Sequence, residues 1–219
     1  MAYQIEYATE ADGPALARIN VESFQGRGLL NNVFPKANEA ALRTYKAINA
    51  MKHLANPSMH VLKITDPTSG EVVSYARWLI PASVESPSRP ALSEQAQIFA
   101  QDPIRFAPQP MNEALFTEFR KLLETSREKH ATDDDMMLDL LATLPGYQGR
   151  GIGSSMLKWG TLKADAAGRR LYLEATGEGM PLYLKAGFKP VDEIVLDRSQ
   201  FGGMGQESFT IMIRDPVAQ

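Results

Sequence analysis

The 219-residue sequence predicts an α+β fold, a sheet flanked by helices, on three observations. The runs "MHVLKIT" and "EVVSYARWLI" flank the turn signal "DPTSG" and read as an antiparallel hairpin. "MMLDLLATL" is short, apolar and bounded by Pro145 and Gly146, as expected of a buried central strand. Two alternating runs, "FKPVDEIVLD" and "QESFTIMIRD", close the chain as strands.

The remaining elements follow in order. "YQIEYAT" alternates as a first strand, and Thr9 with Asp12 forms a capping signal for a helix carrying Leu16 and Ile19. "GRGLLNNVFP" reads as a loop. Leu42, Tyr45 and Ile48 at helical spacing mark residues 38 to 55 as a helix, with Ala and Lys filling its other positions. Six of the 14 prolines fall between Pro81 and Pro110, which argues against a regular strand or long helix there and for a surface excursion. "NEALFTEFRKLLETSREKHA" recovers helical periodicity through Leu115, Phe119 and Leu122. A further helix is expected after Gly153, with Met156, Leu157, Gly160 and Ala164 on one face and Gly168 as its stop. "RRLYLEAT" is a strand, and "PLYLKAG" a short helix that Gly187 ends.

Composition narrows the function. With 44% hydrophobic and 22% charged residues and a formal net charge of -3, the chain has the profile of a soluble globular protein, with one domain over residues 1–219 as the default. No run approaches 18 apolar residues and the start has no signal-peptide character, so an intracellular, cytoplasmic protein without membrane contact is expected. The absence of cysteine excludes disulfides, thiolate nucleophiles and thiolate metal sites. Mild acidity argues against nucleic-acid binding, and His53, His60 and His130 lack metal-ligand spacing. Between Arg150 and Lys189, however, seven basic residues face three acidic ones.

That basic stretch begins at "QGRGIGSSML", residues 148 to 157. Glycines at alternate positions let backbone N–H groups approach another molecule closely, and a helix starting there aims its free N–H groups and positive dipole end into the same space. An anion fits such a place. A dinucleotide fingerprint fails on spacing, since the sixth position counted from Gly149 is Ser154. A phosphate loop of the nucleotide-hydrolase type fails too, since Gly151 is followed by Ile152 and Gly153.

The segment "LLATLPGYQGRGIGSSML" resembles motif A of the GNAT superfamily of acyl-CoA N-acyltransferases, with Gln148, Gly151 and Gly153 at the signature positions. "LYLKAGFKPV" resembles motif B through Tyr183, Gly187 and Phe188, and "ATEADGPALARI" is similar to the family's first strand and helix. The resemblance implies a mixed, mostly antiparallel sheet splayed between its fourth and fifth strands, with residues 81 to 132 as an insertion between the third and fourth. It implies acetyl-CoA as cosubstrate and no metal. Its pyrophosphate would lie on the backbone of Gln148, Gly149, Arg150, Gly151, Ile152, Gly153 and Ser154. The pantetheine would pair with Leu141, Ala142 and Thr143 near Thr176, where relatives often carry Asn. A backbone N–H near Leu141 would stabilise the oxyanion.

Tyr183 is then the candidate acid for the departing thiolate, and it also borders the cofactor. Asp139, which shares strand parity with Leu141 and Thr143, is a candidate base, with Glu174 on the next strand as its rival. The expected activity is acetyl transfer to a primary amine of a small molecule. A protein or peptide amine is the enzyme alternative, and a non-catalytic acyl-CoA sensor or interaction module is the alternative of a different class.

Overall fold

A computed structural model describes residues 3–24, 28–85 and 87–218. Seven strands form one sheet: β1 (Ile5–Tyr7), β2 (Met59–Thr65), β3 (Val72–Leu79), β4 (Met136–Thr143), β5 (Leu171–Ala175), β6 (Lys189–Asp197) and β7 (Gln206–Arg214), ordered β1-β2-β3-β4-β5-β7-β6. Every pairing is antiparallel except β4 with β5. That parallel pair holds register only over Met136–Leu138 against Leu171–Leu173, and beyond it the two strands separate. The sheet is splayed where the sequence resemblance implied.

Among the described residues seven α-helices accompany it: α1 (Gly13–Phe24), α2 (Leu29–Val33), α3 (Glu39–Ala55), α4 (Glu94–Gln101), α5 (Glu113–His130), α6 (Ile152–Ala167) and α7 (Met180–Lys185). Their starts follow local chemistry. The Asp12 carboxylate accepts from the Thr9 backbone N–H at 2.7 Å before α1, Asn38 accepts from Ala41 N–H before α3, and Asn112 accepts from Leu115 N–H before α5. Arg127, Lys129 and His130 complement the negative end of α5, and the last two also bind Asp192 of β6 at 2.7 Å, which fastens the helix across the sheet.

Two local expectations need correction, and the proline-rich excursion, expected to lack a regular strand or long helix, carries a short helix. The loop "GRGLLNNVFP" contains α2, while its Gly26 and Arg27 lie outside the described residues. The proline-rich excursion holds the eight-residue α4, because Ser93 caps it and no proline falls within Glu94–Gln101. Helix α6 starts at Ile152, one residue earlier than expected, because Gly151 adopts φ 80° and serves as its N-cap.

The main core lies between the sheet and its helices, and a smaller cluster including Val33, Leu42, Leu115 and Leu196 joins α2, α3, α5 and β6. Trp78 is fully buried against α6, where a Cβ added to Gly160 would stand 2.2 Å from the indole ring. Gly160→Ala is therefore expected to destabilise the protein by about 1–3 kcal/mol through overpacking. A thermal melt lowered by less than about 2 °C would contradict it.

His60 is also buried, with Tyr7 Oη 2.7 Å from its Nδ1. Burial, reinforced by the charges of Arg89 and Lys163, lowers its pKa to about 4. The unfolded chain protonates this histidine near pH 6.5 while the folded chain keeps it neutral, so the unfolded state binds more protons between those values. Stability should fall as pH drops from about 6.5 to 4, and His60→Gln should flatten that part of a plot of denaturation midpoint against pH.

Candidate active site

The turn from β4 into α6 is built from glycine backbone. Gly149 and Gly151 have φ values of 75° and 80°, a region that side chains disfavour, so glycine here is a conformational requirement. Gly153 is different: it lies in the first helical turn, and an added Cβ would meet Leu182 at an ordinary 3.6 Å. Ser155 N–H makes the first intrahelical bond, to Gly151 O, which leaves the N–H groups of Ile152, Gly153 and Ser154 projecting from the helix end. These groups, with the loop glycines, border a groove of about 480 Å³ that runs between β4 and α7.

The backbone contacts expected from the sequence divide unequally. The Gln148 N–H donates to Pro145 O at 3.3 Å, so Gln148 contributes instead through its side chain, which donates to Thr143 O at 3.0 Å. In β4, Leu144 N–H donates to Val73 O, and backbone polar groups alternate sides along a strand. Ala142 therefore faces β3, and its carbonyl accepts from Ser74 Oγ. Leu141 and Thr143 present their backbone to the splay. The Thr143 carbonyl is already engaged by Ser23 Oγ and Gln148, which leaves Leu141 as the better exposed pair of backbone groups.

The basic excess between Arg150 and Lys189 is only partly local to this loop. Arg150 lies over the Tyr147 ring at 4.8 Å and donates to Gly146 O. Lys163 is engaged by Glu85 O, Arg169 by Asp134 and Arg170 by Asp135, away from the helix end.

A second cavity, of about 470 Å³, opens on the other side of the splay beneath α1, α3 and α5. The two cavities share Phe24, Leu141, Thr176 and Tyr183. Tyr183 is 8% exposed and packs edge-on against Phe188. Gly179 makes room for it, since a Cβ there would come within 2.9 Å of the tyrosine ring. Thr176 O accepts from the N–H groups of Gly179 and Met180, turning the chain so that α7 presents Tyr183 at this junction.

Asp139 and Glu174 both line the second cavity, each tied to arginine. Asp139 stands 2.8 Å from Arg77 Nε and 3.3 Å from Arg127 Nη2, while Arg127 grips both oxygens of Glu174 at 2.7 and 3.1 Å. Strand parity does not account for where Asp139 points. Arg77 pairs with Leu140 and Trp78 with Leu138, so Asp139 is the extra residue of a β-bulge, a feature that redirects a side chain. Burial pushes its carboxyl up, but the charge of Arg77, reinforced by that of Arg127, outweighs this and holds it below the usual range. Arg77, Arg127 and Lys46 were not singled out from sequence, and His53 was given no chemistry there; only the fold brings them to one cavity. Among the described residues no group of three His, Asp or Glu side chains is placed to hold a metal.

Comparison with known proteins agrees with this architecture. Residues 121–190 match the family model of the GNAT acetyltransferase domain. The Corynebacterium glutamicum protein named "histone acetyltransferase HPA2 and related acetyltransferase" is 21% identical, with 100% of this chain and 99% of that one covered and a TM-score of 0.62. The ribosomal-protein-S18-alanine N-acetyltransferase of Escherichia coli is 14% identical (100% and 97% covered, TM-score 0.53). The PaiA N-acetyltransferase of Thermoplasma acidophilum, solved in complex with coenzyme A, is 13% identical (98% and 99% covered, TM-score 0.50). No curated protein matches the chain.

Proposed function

We propose that this chain, which has the GNAT fold and carries a GNAT acetyltransferase domain over residues 121–190, transfers the acetyl group of acetyl-CoA directly to a primary amine of a small molecule. The observation that carries the reading is the junction of the two cavities at Leu141, Thr176 and Tyr183. One cavity ends at the projecting N–H groups of α6, suited to a pyrophosphate; the other is walled by α1, α3 and α5 and suited to an amine. The whole chain is read as one domain, since strands from both of its ends enter the same sheet.

In this reading the acceptor nitrogen, once neutral, attacks the thioester carbonyl carbon. The C–N bond forms, the C–S bond breaks, and the negative charge passing through the carbonyl oxygen is met by the Leu141 N–H. Tyr183 gives its proton to the leaving thiolate, the nitrogen loses one proton to solvent as the amide forms, and Tyr183 recovers a proton from solvent. Asp139 acts as a charge anchor for Arg77 and Arg127 rather than as a base, because a carboxylate held below the usual range is a weak proton acceptor, and Glu174 has both oxygens engaged by Arg127. The amine is then deprotonated by solvent before it attacks.

Release of free thiol from acetyl-CoA, measured across small amines and lysine- or N-terminal-amine peptides, tests the reading. Turnover with small amines is expected. Turnover confined to peptides would favour a protein acceptor, in keeping with the names of two of the structural relatives, and binding of acetyl-CoA without turnover would favour a sensor.

A further inference from the structure

The amine cavity has an uncompensated positive charge. Lys46, on α3, lines it and makes no hydrogen bond or ion pair with any described residue. Arg77 approaches Asp139 through Nε, and its two terminal nitrogens likewise have no described hydrogen-bond partner. Of the other charged residues of the lining, Arg120 pairs with Glu124, Glu207 pairs with Arg198 and Lys52 is exposed, so inside the cavity three cations, Lys46, Arg77 and Arg127, face two carboxylates, Asp139 and Glu174. Leaving a charge unpaired in a partly desolvated site is expensive, so such a group is normally paired or becomes neutral. Among the described residues neither the Lys46 ammonium nor the terminal nitrogens of Arg77 has a protein partner, and both lie in the cavity where an acceptor would sit.

From this we infer that Lys46 and Arg77 form a subsite for a carboxylate on the acceptor, so that the substrate is a small amino-carboxylate rather than a simple amine. The inference rests on the acetyl-transfer reading and adds the acceptor's chemical class. A carboxylate between the two cations brings the cluster to neutrality and accepts charge-assisted hydrogen bonds from both. Phe116, Phe119 and Leu123 of α5 give the same cavity an apolar wall for a short carbon skeleton. The two cations also favour the neutral form of a nearby amine, which is the form that attacks.

Titration of Lys46 supports the geometry. Burial, and then the charge of Arg77, lowers its pKa to about 8. The titratable and charged groups that line the cavity with it are Lys52 and His53 on its own helix, Tyr75 and Arg77 of β3, Arg120, Glu124 and Arg127 of α5, Asp139 of β4, Glu174 of β5, Tyr183 of α7 and Glu207 of β7. Burial lowers the His53 pKa to about 3, so that ring is neutral at pH 7 and offers Lys46 no charge. A bound carboxylate would favour the charged ammonium, and acceptor affinity should weaken as pH rises above about 8.

Thiol release with a panel of L-amino acids and their matched carboxamides reads the subsite directly. In the unaltered protein the acid should exceed its amide in kcat/KM by about 10- to 100-fold, the range for one charge-assisted hydrogen bond. Lys46→Met, which removes an unpaired buried charge and so should fold, is expected to reduce that preference to within about threefold, mainly through KM. Lys46→Arg should restore most of it. Equal use of acid and amide by the unaltered protein, or an undiminished preference in Lys46→Met, would overturn the inference. If no amine is acetylated, the transfer reading itself fails, and calorimetry with N-acetyl amino acids and N-acetyl amino acid amides then tests the subsite alone. Binding of the acid that Lys46→Met abolishes supports it, and no preference for the acid sinks it.

Discussion

Tyr183→Phe is expected to lower kcat about 10²-fold while leaving the affinity for acetyl-CoA nearly unchanged. A group that protonates the leaving thiolate acts in the transition state and contributes little to ground-state binding. General-acid effects span ~10² to 10⁴, and the lower end applies because a thiolate is already a good leaving group. Phe keeps the ring that packs on Phe188 and against Gly179, so the variant should melt with the parent. The measurement is single-turnover acetyl transfer, which isolates chemistry from product release, alongside calorimetric titration of acetyl-CoA. Full single-turnover rate in the variant would remove Tyr183 from proton transfer and leave it a positioning group. A parallel loss of affinity would instead assign it to cosubstrate binding.

Gly151→Asp is expected to weaken acetyl-CoA binding by about 10²-fold or more in a protein that still folds. The substitution puts a carboxylate at the N-cap of α6, beside the N–H groups proposed to hold the pyrophosphate, so like charges are brought together where the helix end otherwise favours an anion. Nothing in the protein lies within 4 Å of a Cβ built at this position, so the fold has space for the side chain. The φ of 80° imposes a backbone penalty on any non-glycine residue, of roughly 1–2 kcal/mol, which asparagine and aspartate bear best. Gly151→Asn therefore serves as the matched control: it carries the same backbone strain without the charge and should lose much less affinity. Equal affinities for the Asp variant and the parent, measured by calorimetry, would place the pyrophosphate elsewhere.

The parts of this protein that could be read from sequence are those whose chemistry is local. The β2–β3 hairpin is written in two alternating runs around a turn signal. The caps of α1 and α3 reside in Thr9, Asp12 and Asn38. The turn from β4 into α6 is a matter of backbone freedom at Gly149 and Gly151, and backbone freedom is carried by residue type. Tyr183 was legible for a similar reason, since its spacing to Gly187 and Phe188 spans one short helix and its exit.

What the tertiary structure decided is which distant residues share a cavity. Lys46 reads in sequence as helix filler among alanines, and only the packing of α3 over the sheet turns it inward. Arg77 and Arg127 come from a strand and a helix fifty residues apart, and neither has a sequence neighbour that marks it. Asp139 shows the limit most directly: alternation assigns a side chain to a face only while the strand stays in register, and the bulge opposite Arg77 and Trp78 breaks that rule at this residue. A bulge arises from how two strands are forced to meet, so its place is set by long-range packing. The elements and the glycine turn from β4 into α6 are legible in the sequence because they depend on backbone propensities within a few residues. The charge balance of the cavity beneath α1, α3 and α5 depends on Coulomb interactions among five side chains from five strands and helices, and it exists only once the chain has folded.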